Sequence, residues 1–319
     1  MEKFLITGFS GFVSKHFIEY LESLQQNVSV VGIDINHPEF VITAFQFVHC
    51  SFSKIDLLDK NQVDNIIYQF QPTYILHLAS FSSVAFSWKN PVSSFSNNTN
   101  IFLNLLEQIR AMKLNCRVLS IGSSEEYGDV EQHDIPLKEQ HTLKPVSPYA
   151  VARVSQEMLS KIYVDGYGLD IVMTRSFNHI GPGQRDIFVI SSFAKQLVDI
   201  KKNKRKPELI TGDLSIVRDF LDVRDVVRAY HDLFHKGRKG EVYNVCSGIG
   251  TSLEVIIKKM MELLDIQVDT KLDELLIRPK DNYIILGSNE KIKSETGWYT
   301  TYTLENSLTD ILKYWYEIL

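Results

Sequence analysis

Short apolar runs alternate with longer helical stretches through the first half of the chain, and this alternation constrains the fold more than any other feature. The runs are rich in β-branched residues and lie at 3–8, 28–34, 73–79, 116–122 and 169–177. Helical patterns lie at 12–25, 59–70, 95–112 and 149–165. Strands that are apolar throughout are buried on both faces of a parallel sheet. The pattern predicts an α/β fold, a doubly wound parallel sheet flanked by helices.

The pattern changes beyond about residue 178, where short mixed elements contain more proline, glycine and basic residues. The apolar run at 240–248 again indicates a buried strand, which is a candidate to return to the sheet. We predict a dinucleotide-binding domain and a smaller C-terminal substrate-binding lobe over the carboxyl edge of the sheet, where doubly wound folds bind ligands. The domain comprises 1–177 and about 217–247, and the lobe comprises 178–216 and 248–319.

Charge and cysteine content narrow the class of protein. The 319 residues include 34 Lys and Arg against 39 Asp and Glu, a net charge of −5, so we expect neither nucleic acid nor an anionic membrane as a partner. Cys50, Cys116 and Cys246 are far apart and form no CxxC pair, which argues against a disulfide framework or a metal site. Without a signal-type segment or an apolar run of membrane-spanning length, the sequence predicts a cytoplasmic protein.

A glycine-containing turn, "TGFSGFVS" (7–14), follows the first predicted strand and begins the first helix. Gly8 permits the tight turn, and Gly11 lets the backbone approach a pyrophosphate at the helix amino terminus. Ser14 replaces the third glycine of the usual motif, and its small side chain still permits close helix packing. The turn predicts cofactor contacts at Gly8, Phe9, Ser10, Gly11, Phe12 and Val13.

An acidic residue, Asp34, ends the second predicted strand, 26 residues after Gly8. A carboxylate at this position accepts hydrogen bonds from an adenosine ribose and repels a 2′-phosphate, which favours NAD(H) over NADP(H). The alternative is an Asp that caps a helix or forms a turn. Asp56 is a candidate contact to the adenine amino group, with a capping role before the helix at 59 as its alternative.

Two further segments carry the candidate catalytic residues. "IGSSEEYG" (121–128) leaves the end of a strand, so Ser123 is placed to bind a substrate hydroxyl and Glu125 is a candidate base, although hydroxyl residues there often only form turns. "SPYAVAR" (147–153) places Tyr149 and Arg153 at i and i+4, on one face of a helix. A neighbouring cation stabilises a phenolate, which makes Tyr149 the candidate acid/base and Arg153 its partner.

These residues, with the "HLA" at 77–79, resemble the extended short-chain dehydrogenase/reductase family over nearly the whole chain. Longer strings narrow the resemblance: "RSFNHIGPGQRDIFVI" (175–190), "VRDFLDVRDVVRAY" (217–230), "VYNVCSG" (242–248) and "ETGW" (295–298). They are similar to the branch that reduces GDP-4-keto-6-deoxy-D-mannose to GDP-D-rhamnose. The resemblance implies a Rossmann-type sheet, an NAD(P)-dependent oxidoreductase of polysaccharide biosynthesis, and further cofactor contacts at Leu57, Leu78 and Ala79.

The resemblance also implies a set of residues that bind the nucleotide sugar. Asn178 and Arg218 would hold the diphosphate with Arg278, and Val189 would line the guanine pocket. Guanidinium groups suit phosphate oxygens because they bind them bidentately. Ser83 is a further expected substrate contact. The alternative for Arg218 is a structural ion pair with Asp219.

Two positions call for comparison with the family. Its members carry Lys where Arg153 stands, and that Lys binds the nicotinamide ribose and lowers the Tyr pKa. Arginine keeps the charge but is longer, planar and always protonated, so the rate or the substrate preference could differ. Glu125 stands where GDP-mannose 4,6-dehydratases place the base that removes a C5 proton.

The sequence therefore favours a 4-ketoreductase that acts on a GDP-mannose-type sugar. A GDP-mannose 4,6-dehydratase, or a C4 dehydrogenase or epimerase for a related sugar such as a GDP-manno-heptose, stays open. So does a nucleotide-sugar-binding relative without turnover, although retention of Ser123 and Tyr149 argues against it. Apolar positions on the helices near 95–112 and 149–165 predict a homodimer or homotetramer.

Overall fold

The computed structural model describes residues 1–277 and 280–319. Its strands are β1 Glu2–Thr7, β2 Val28–Asp34, β3 Val48–Lys54, β4 Tyr74–His77, β5 Arg117–Ser123, β6 Asp170–Ser176, β7 Asn178–Ile180, β8 Glu208–Thr211, β9 Val217–Asp222, β10 Val242–Val245, β11 Gly250–Ser252, β12 Asp269–Leu272 and β13 Ile284–Ile285. Its helices are α1 Phe12–Ser23, α2 Lys60–Phe70, α3 Val84–Lys89, α4 Pro91–Ala111, α5 Pro148–Tyr167, α6 Val189–Lys201, α7 Val223–Lys236, α8 Leu253–Leu264, α9 Glu290–Thr296 and α10 Leu304–Ile318.

Seven parallel strands form the main sheet in the order β10-β6-β5-β4-β1-β2-β3. The chain order reverses between β1 and β4, so the connections after these two strands leave to opposite sides. Doubly wound folds bind ligands at such a switch point, outside the carboxyl ends of the strands. The glycine turn after β1 and the "HLA" segment that begins at the end of β4 therefore lie together at the binding edge.

Apolar side chains cover both faces of the main sheet, as the uniformly apolar runs predict. Phe4 and Ile6 of β1 pack on one face in a core that includes residues of α1 and α7. Leu5 of the same strand packs on the other face with Ile75 of β4 and residues of α2 and α4. Because successive side chains of a strand point to opposite faces, each residue of such a strand needs an apolar neighbour.

The second half of the chain builds a smaller sheet in which β9 pairs with β7, β11 and β13. Helices α6, α8 and α10 share a separate apolar core. The run at 240–248 contributes β10, which pairs in parallel with β6 and so returns to the main sheet. The segment 217–247, which the sequence analysis assigned to the dinucleotide-binding domain, contributes to both sheets. β9 joins the small sheet, whereas α7 and β10 pack with the main sheet. The division into two domains stays a prediction.

Beyond residue 178 the prediction of short mixed elements was wrong, because α6, α7, α8 and α10 are helices of 12 to 15 residues. In the first half of the chain, one strand and one helix were absent from the sequence prediction. β3 is an edge strand with a mostly polar sequence, VHCSFSK, and only Val48 of its residues is fully buried. One-sided burial removes the continuous apolar run that marks the other strands. Helix α3 is six residues long, too short for helical periodicity to be recognised. No helix among the described residues is long and apolar enough to span a membrane.

Candidate active site

The glycine turn between β1 and α1 makes a close backbone cradle. Gly8 has a φ of +68°, and a Cβ at this position would lie 2.7 Å from the Ala79 backbone nitrogen. Glycine is therefore required both for the backbone conformation and for the contact with the "HLA" segment. Gly11 caps α1 without a side-chain hydrogen bond to the first turn of the helix. A helix amino terminus reached through such a turn fits the pyrophosphate of a dinucleotide.

Ser14 and the "HLA" residues pack closely around this turn. Ser14 is fully buried, so its small side chain is accommodated where the usual motif has glycine. The backbone nitrogen of Leu78 donates to the carbonyl of Thr7, and that of Ala79 donates to Oγ1 of Thr7 at 3.2 Å. These bonds fix the distance between the ends of β1 and β4, which bound the predicted cofactor cleft.

Asp34 lies at the carboxyl end of β2 and faces the glycine turn. One carboxylate oxygen accepts from the backbone nitrogen of Ser10 at 3.0 Å, and the other accepts from that of Asn36 at 2.9 Å. The side chain therefore forms an acidic corner next to the start of α1. This arrangement combines a turn-forming role with the ribose-binding position that the spacing predicts.

Asp56 does not cap the following helix, which was one interpretation of its sequence position. Asp59 does so, because its carboxylate accepts from the backbone nitrogens of Asn61 and Gln62. Asp56 is exposed, and its carboxylate accepts only from the backbone nitrogen of Leu58, at 2.9 Å, among the hydrogen bonds of the described residues. Its neighbour Leu57 is buried, at 5% exposure, in the core beside α4.

Tyr149 and Arg153 are in direct contact at the start of α5. The helix begins at Pro148, and the hydroxyl of Ser147 caps it by accepting from the backbone nitrogen of Ala150 at 3.1 Å. Nε of Arg153 donates to the phenol oxygen of Tyr149 at 3.1 Å, and both side chains are buried. A fixed positive charge hydrogen-bonded to a phenol oxygen stabilises the phenolate form.

All three nitrogens of the Arg153 guanidinium donate hydrogen bonds, and besides Tyr149 the acceptors belong to residues that the sequence prediction missed. Nη1 donates to the carbonyl of Ile121 at 2.9 Å and to Oε1 of Gln156 at 2.7 Å, and Nη2 donates to Oγ of Ser80 at 2.5 Å. Gln156 lies three residues after Arg153 on the same helix, so helical spacing signals it. No sequence pattern around Arg153 indicates its contact with Ser80, which precedes it by 73 residues.

Ser123 ends β5 and starts the turn that carries the candidate base. Its hydroxyl oxygen accepts from the backbone nitrogen of Glu125 at 3.2 Å, and its backbone nitrogen donates to Oε1 of Glu126 at 2.7 Å. The turn-forming interpretation of Ser123 is therefore satisfied, and the hydroxyl keeps a hydrogen that it can donate. Glu125 is half-buried, whereas Glu126 is fully buried.

A buried histidine lies beneath this cluster. Nδ1 of His77 is 2.9 Å from Oγ1 of Thr7, at the carboxyl ends of β4 and β1. Burial and then the charge of Arg153 lower the pKa of His77 to about 3. The ring is therefore neutral at physiological pH and adds no positive charge to that of Arg153.

The predicted substrate residues lie on the small sheet and on neighbouring helices. Asn178 is exposed on β7, and Val189, 40% exposed, begins α6. Ser83 caps α3, where its hydroxyl oxygen accepts from the backbone nitrogen of Phe86 at 3.1 Å. Arg278 lies outside the described residues.

Arg218 is buried on β9 and pairs with a residue other than the one considered from the sequence. Its Nη2 donates to Asp281 at 2.5 Å, and its Nη1 donates to the carbonyl of Val217. Asp219 instead accepts from the backbone nitrogens of Ser247 and Gly248. The alternative of an ion pair between Arg218 and Asp219 is therefore wrong, because adjacent side chains on a strand point to opposite faces.

Comparisons with known proteins agree with this geometry. A sequence profile described as GDP-mannose 4,6 dehydratase matches residues 5–311. The GDP-6-deoxy-D-mannose reductase of Pseudomonas aeruginosa is 30% identical over 98% of this chain and 97% of its own length. The GDP-6-deoxy-D-talose 4-dehydrogenase of Aggregatibacter actinomycetemcomitans is 28% identical over 92% of this chain and 91% of its own length.

Solved structures show the same fold. The structure of RMD from Pseudomonas aeruginosa complexed with NADPH has a TM-score of 0.87 at 30% identity, covering 99% of this chain and all of that one. The UDP-glucose 4-epimerase of Thermus thermophilus in complex with NAD also has a TM-score of 0.87, at 25% identity, with the same coverage. The doubly wound α/β fold and the resemblance on which the sequence prediction rests are both confirmed.

Proposed function

Because this chain belongs to the GDP-mannose 4,6-dehydratase family of extended short-chain dehydrogenase/reductases, we propose that it is a nicotinamide-dependent reductase of the C4 ketone of a GDP-mannose-type sugar. The observation that carries the proposal is the Tyr149–Arg153 hydrogen bond at the edge of the sheet that holds the glycine turn. A proton donor and a dinucleotide cradle at one edge are the two parts that ketone reduction requires.

The side chains have separate roles in this reaction. A bound nicotinamide supplies the hydride to C4 of the sugar. Tyr149 donates its proton to the C4 oxygen, which becomes the hydroxyl of the product, and the phenolate that remains is stabilised by Arg153. The hydroxyl of Ser123 donates a hydrogen bond to the same oxygen and orients it. The phenolate regains a proton from solvent before the next turnover.

Substrate binding is proposed on the small sheet. Arg218 is held in a buried position by Asp281, which orients the guanidinium but also competes with a phosphate for it. We propose that Arg218 and Asn178 contact the diphosphate, with Val189 beside the base and Ser83 near the sugar. A substrate that reaches both sheets fits the division into a cofactor domain and a substrate lobe.

The direct test is the oxidation of NADH or NADPH by the purified protein with GDP-4-keto-6-deoxy-D-mannose. We expect loss of the 340 nm absorbance and formation of a GDP-6-deoxyhexose two mass units heavier than the substrate. A folded protein that binds the cofactor but gives no turnover would contradict the proposal.

A dehydratase is the second candidate, because Glu125 follows Ser123 by two residues and is half-buried. In that reaction Glu125 would remove the C5 proton after oxidation at C4, and water would leave C6. Incubation with GDP-mannose separates the two candidates by mass, because a dehydratase product is 18 mass units lighter than its substrate. A C4 dehydrogenase or epimerase would instead react with a GDP-sugar that keeps its C6 substituent.

Cofactor preference gives a prediction at Asp34. We propose that NADH is favoured over NADPH by at least about tenfold in kcat/KM, because the Asp34 carboxylate repels a 2′-phosphate. Asp34→Asn removes the charge and keeps one of the two hydrogen bonds from backbone nitrogens, so it should reduce the preference to below about threefold. Glu262→Gln, at an exposed acidic residue of α8 outside the predicted cofactor site, is the control. A wild-type preference for NADPH, the cofactor solved with the P. aeruginosa protein, would overturn this prediction.

We also propose a homodimer or homotetramer assembled through α4 and α5. These helices pack on each other and expose apolar side chains, namely Val92 at 78%, Ile162 at 57% and Tyr167 at 54%. Sedimentation equilibrium should give a multiple of the 36.7 kDa chain mass. Ile162→Glu should shift the protein towards the monomer, whereas Val255→Glu, on the distant helix α8, should not. A monomeric wild type would contradict the proposal.

A further inference from the structure

A buried acidic network lies directly behind the predicted catalytic residues and has no part in the mechanism above. Its centre is Glu126, which is fully buried in the turn after β5. One carboxyl oxygen accepts from the backbone nitrogen of Ser123 at 2.7 Å. The other is buried, and no residue in the described part of the chain hydrogen-bonds to it. A buried carboxylate with one unpartnered oxygen is unfavourable, whereas a carboxylic acid is much less so.

The backbone makes room for this carboxyl group. A Cβ on Gly122 would lie 2.3 Å from Oε1 of Glu126 and 2.3 Å from the carbonyl of Thr174. Any larger residue at 122 would displace the Glu126 side chain. Burying an acid at this site has a desolvation cost that an apolar side chain of similar size would avoid. The acid is nevertheless present, and it is hydrogen-bonded to the backbone of the Ser123 turn.

Charged groups of two neighbouring elements surround Glu126. Arg175 on β6 donates to Glu157 on α5 through Nε at 2.8 Å and Nη2 at 2.9 Å, and Lys161 donates to the same carboxylate at 2.8 Å. Burial acts to raise the pKa of Glu157, but the hydrogen bonds and charge of Arg175 outweigh it and hold the pKa below its usual value. Glu157 is therefore the ionised member of the acidic pair.

Glu126 takes the opposite protonation state. Burial first, and then the charge of Glu157, raise its pKa to about 8, although the Ser123 amide and the charges of Arg175 and Arg153 act in the other direction. Nη1 of Arg153 donates to the carbonyl of Ile121, and Glu126 accepts from the backbone nitrogen of Ser123, so the two side chains bind the backbone on either side of Gly122. The charge on Glu126 is therefore coupled to the guanidinium that contacts Tyr149.

We infer that Glu126 is a positioning residue that holds the Ser123 turn as a neutral carboxylic acid, and that its ionisation slows proton donation from Tyr149. The inference rests on the proposed reductase function. When Glu126 releases its proton to solvent, a negative charge develops near Arg153. That charge opposes formation of the phenolate, which is the state of Tyr149 after it has donated its proton.

The pH dependence of kcat tests the inference. Glu126→Gln keeps an oxygen that can accept from the Ser123 amide, but it is neutral at every pH. The ratio of kcat at pH 9 to kcat at pH 6.5 should be at least about fivefold higher in the variant than in the wild type. Glu126→Leu, which removes the acceptor, should lower kcat at both pH values and change KM little. Glu262→Gln, on the exposed surface of α8, should leave the wild-type ratio unchanged.

A second measurement does not depend on substrate. Because the folded pKa of Glu126 lies above the unfolded value of 4.5, its contribution to stability is complete below pH 4.5 and is lost as the pH rises towards 8. The unfolding temperature of Glu126→Gln relative to wild type should therefore increase between pH 5 and 8 and level off above pH 8.

The two measurements separate the inference from the proposed function. The unfolding temperature of Glu126→Gln relative to wild type could rise with pH while the wild type shows no turnover of the GDP-4-keto sugar. That result would refute the reductase function but would still support a neutral Glu126. Turnover with the same pH ratio in Glu126→Gln and wild type would overturn the link to Tyr149. A stability difference independent of pH would show that Glu126 is ionised throughout and would overturn the inference itself.

Discussion

Tyr149→Phe should lower kcat for ketone reduction by about 10²- to 10⁴-fold, the range expected when a general acid is removed. The phenylalanine ring fills the same buried position, so helix α5 and the cofactor cleft should keep their structure. Arg153 loses one acceptor and keeps its bonds to Ile121, Gln156 and Ser80. The expected result is therefore a loss in kcat with NADH affinity within about twofold of wild type.

Tyr167→Phe is the matched control, because Tyr167 lies at the other end of α5 and is 54% exposed. Stopped-flow absorbance at 340 nm measures the rate, and quenching of NADH fluorescence measures cofactor binding. A Tyr149→Phe variant that keeps more than about a fifth of the wild-type rate would assign the proton donor to another group.

Arg153→Lys should lower kcat by about 10- to 100-fold, although family members carry lysine at this position. The reason is the number of acceptors around the side chain. The guanidinium reaches Tyr149, Ile121, Gln156 and Ser80 through three nitrogens. A lysine has a single nitrogen, which cannot contact all the acceptors that lie around the planar guanidinium of an arginine.

The same change should also lower the free energy of unfolding. Oε1 of Gln156 accepts from Arg153, and Gln156 is 1% exposed. Leaving a buried acceptor unpaired costs about 1–3 kcal/mol. Urea denaturation of Arg153→Lys measures this loss, with Arg110→Lys, an exposed ion-paired arginine of α4, as the control. A faster and equally stable lysine variant would show that Arg153 impairs the enzyme rather than shaping its pocket.

The contrast between arginine and lysine also bears on proton movement. Arginine stays protonated at every physiological pH, so Arg153 can stabilise a phenolate but cannot pass a proton onward. Reprotonation of Tyr149 must then use solvent or another group. If Arg153→Lys retains activity, a comparison of its alkaline pH dependence with that of wild type would measure this difference directly.

Several site features followed from local sequence alone. The contact between Tyr149 and Arg153 follows from their i, i+4 spacing, which places two side chains on one helix face whatever the rest of the fold does. The positive φ of Gly8 follows from a turn between an apolar strand and a helix. Asp34 was identified because it ends the second such strand. Each prediction depends on neighbours within a few residues.

Other features had no local signal. Glu126 is one of two adjacent acidic residues in "SSEEYG", and only the structure shows that Glu126 is fully buried while Glu125 is half-buried. The sequence also suggested the wrong ion-pair partner for Arg218. Asp219 is adjacent in the chain, whereas the observed partner, Asp281, is 63 residues away. Residue order along the chain does not indicate which charges share a buried space.

Apolar periodicity and turn chemistry are local properties, so the amino-acid order alone predicted a doubly wound parallel sheet, the edge that carries the glycine turn and the residue types at that edge. The folded chain, by contrast, sets how Arg153 is held and which acid beside Ser123 is buried. Hydrogen bonds and desolvation depend on the atoms within a few ångströms, and in this fold those atoms come from strands and helices far apart in sequence. "SPYAVAR" therefore predicts the contact between Tyr149 and Arg153, while Ser80 and Gln156, which hold the guanidinium, are found only in the folded structure.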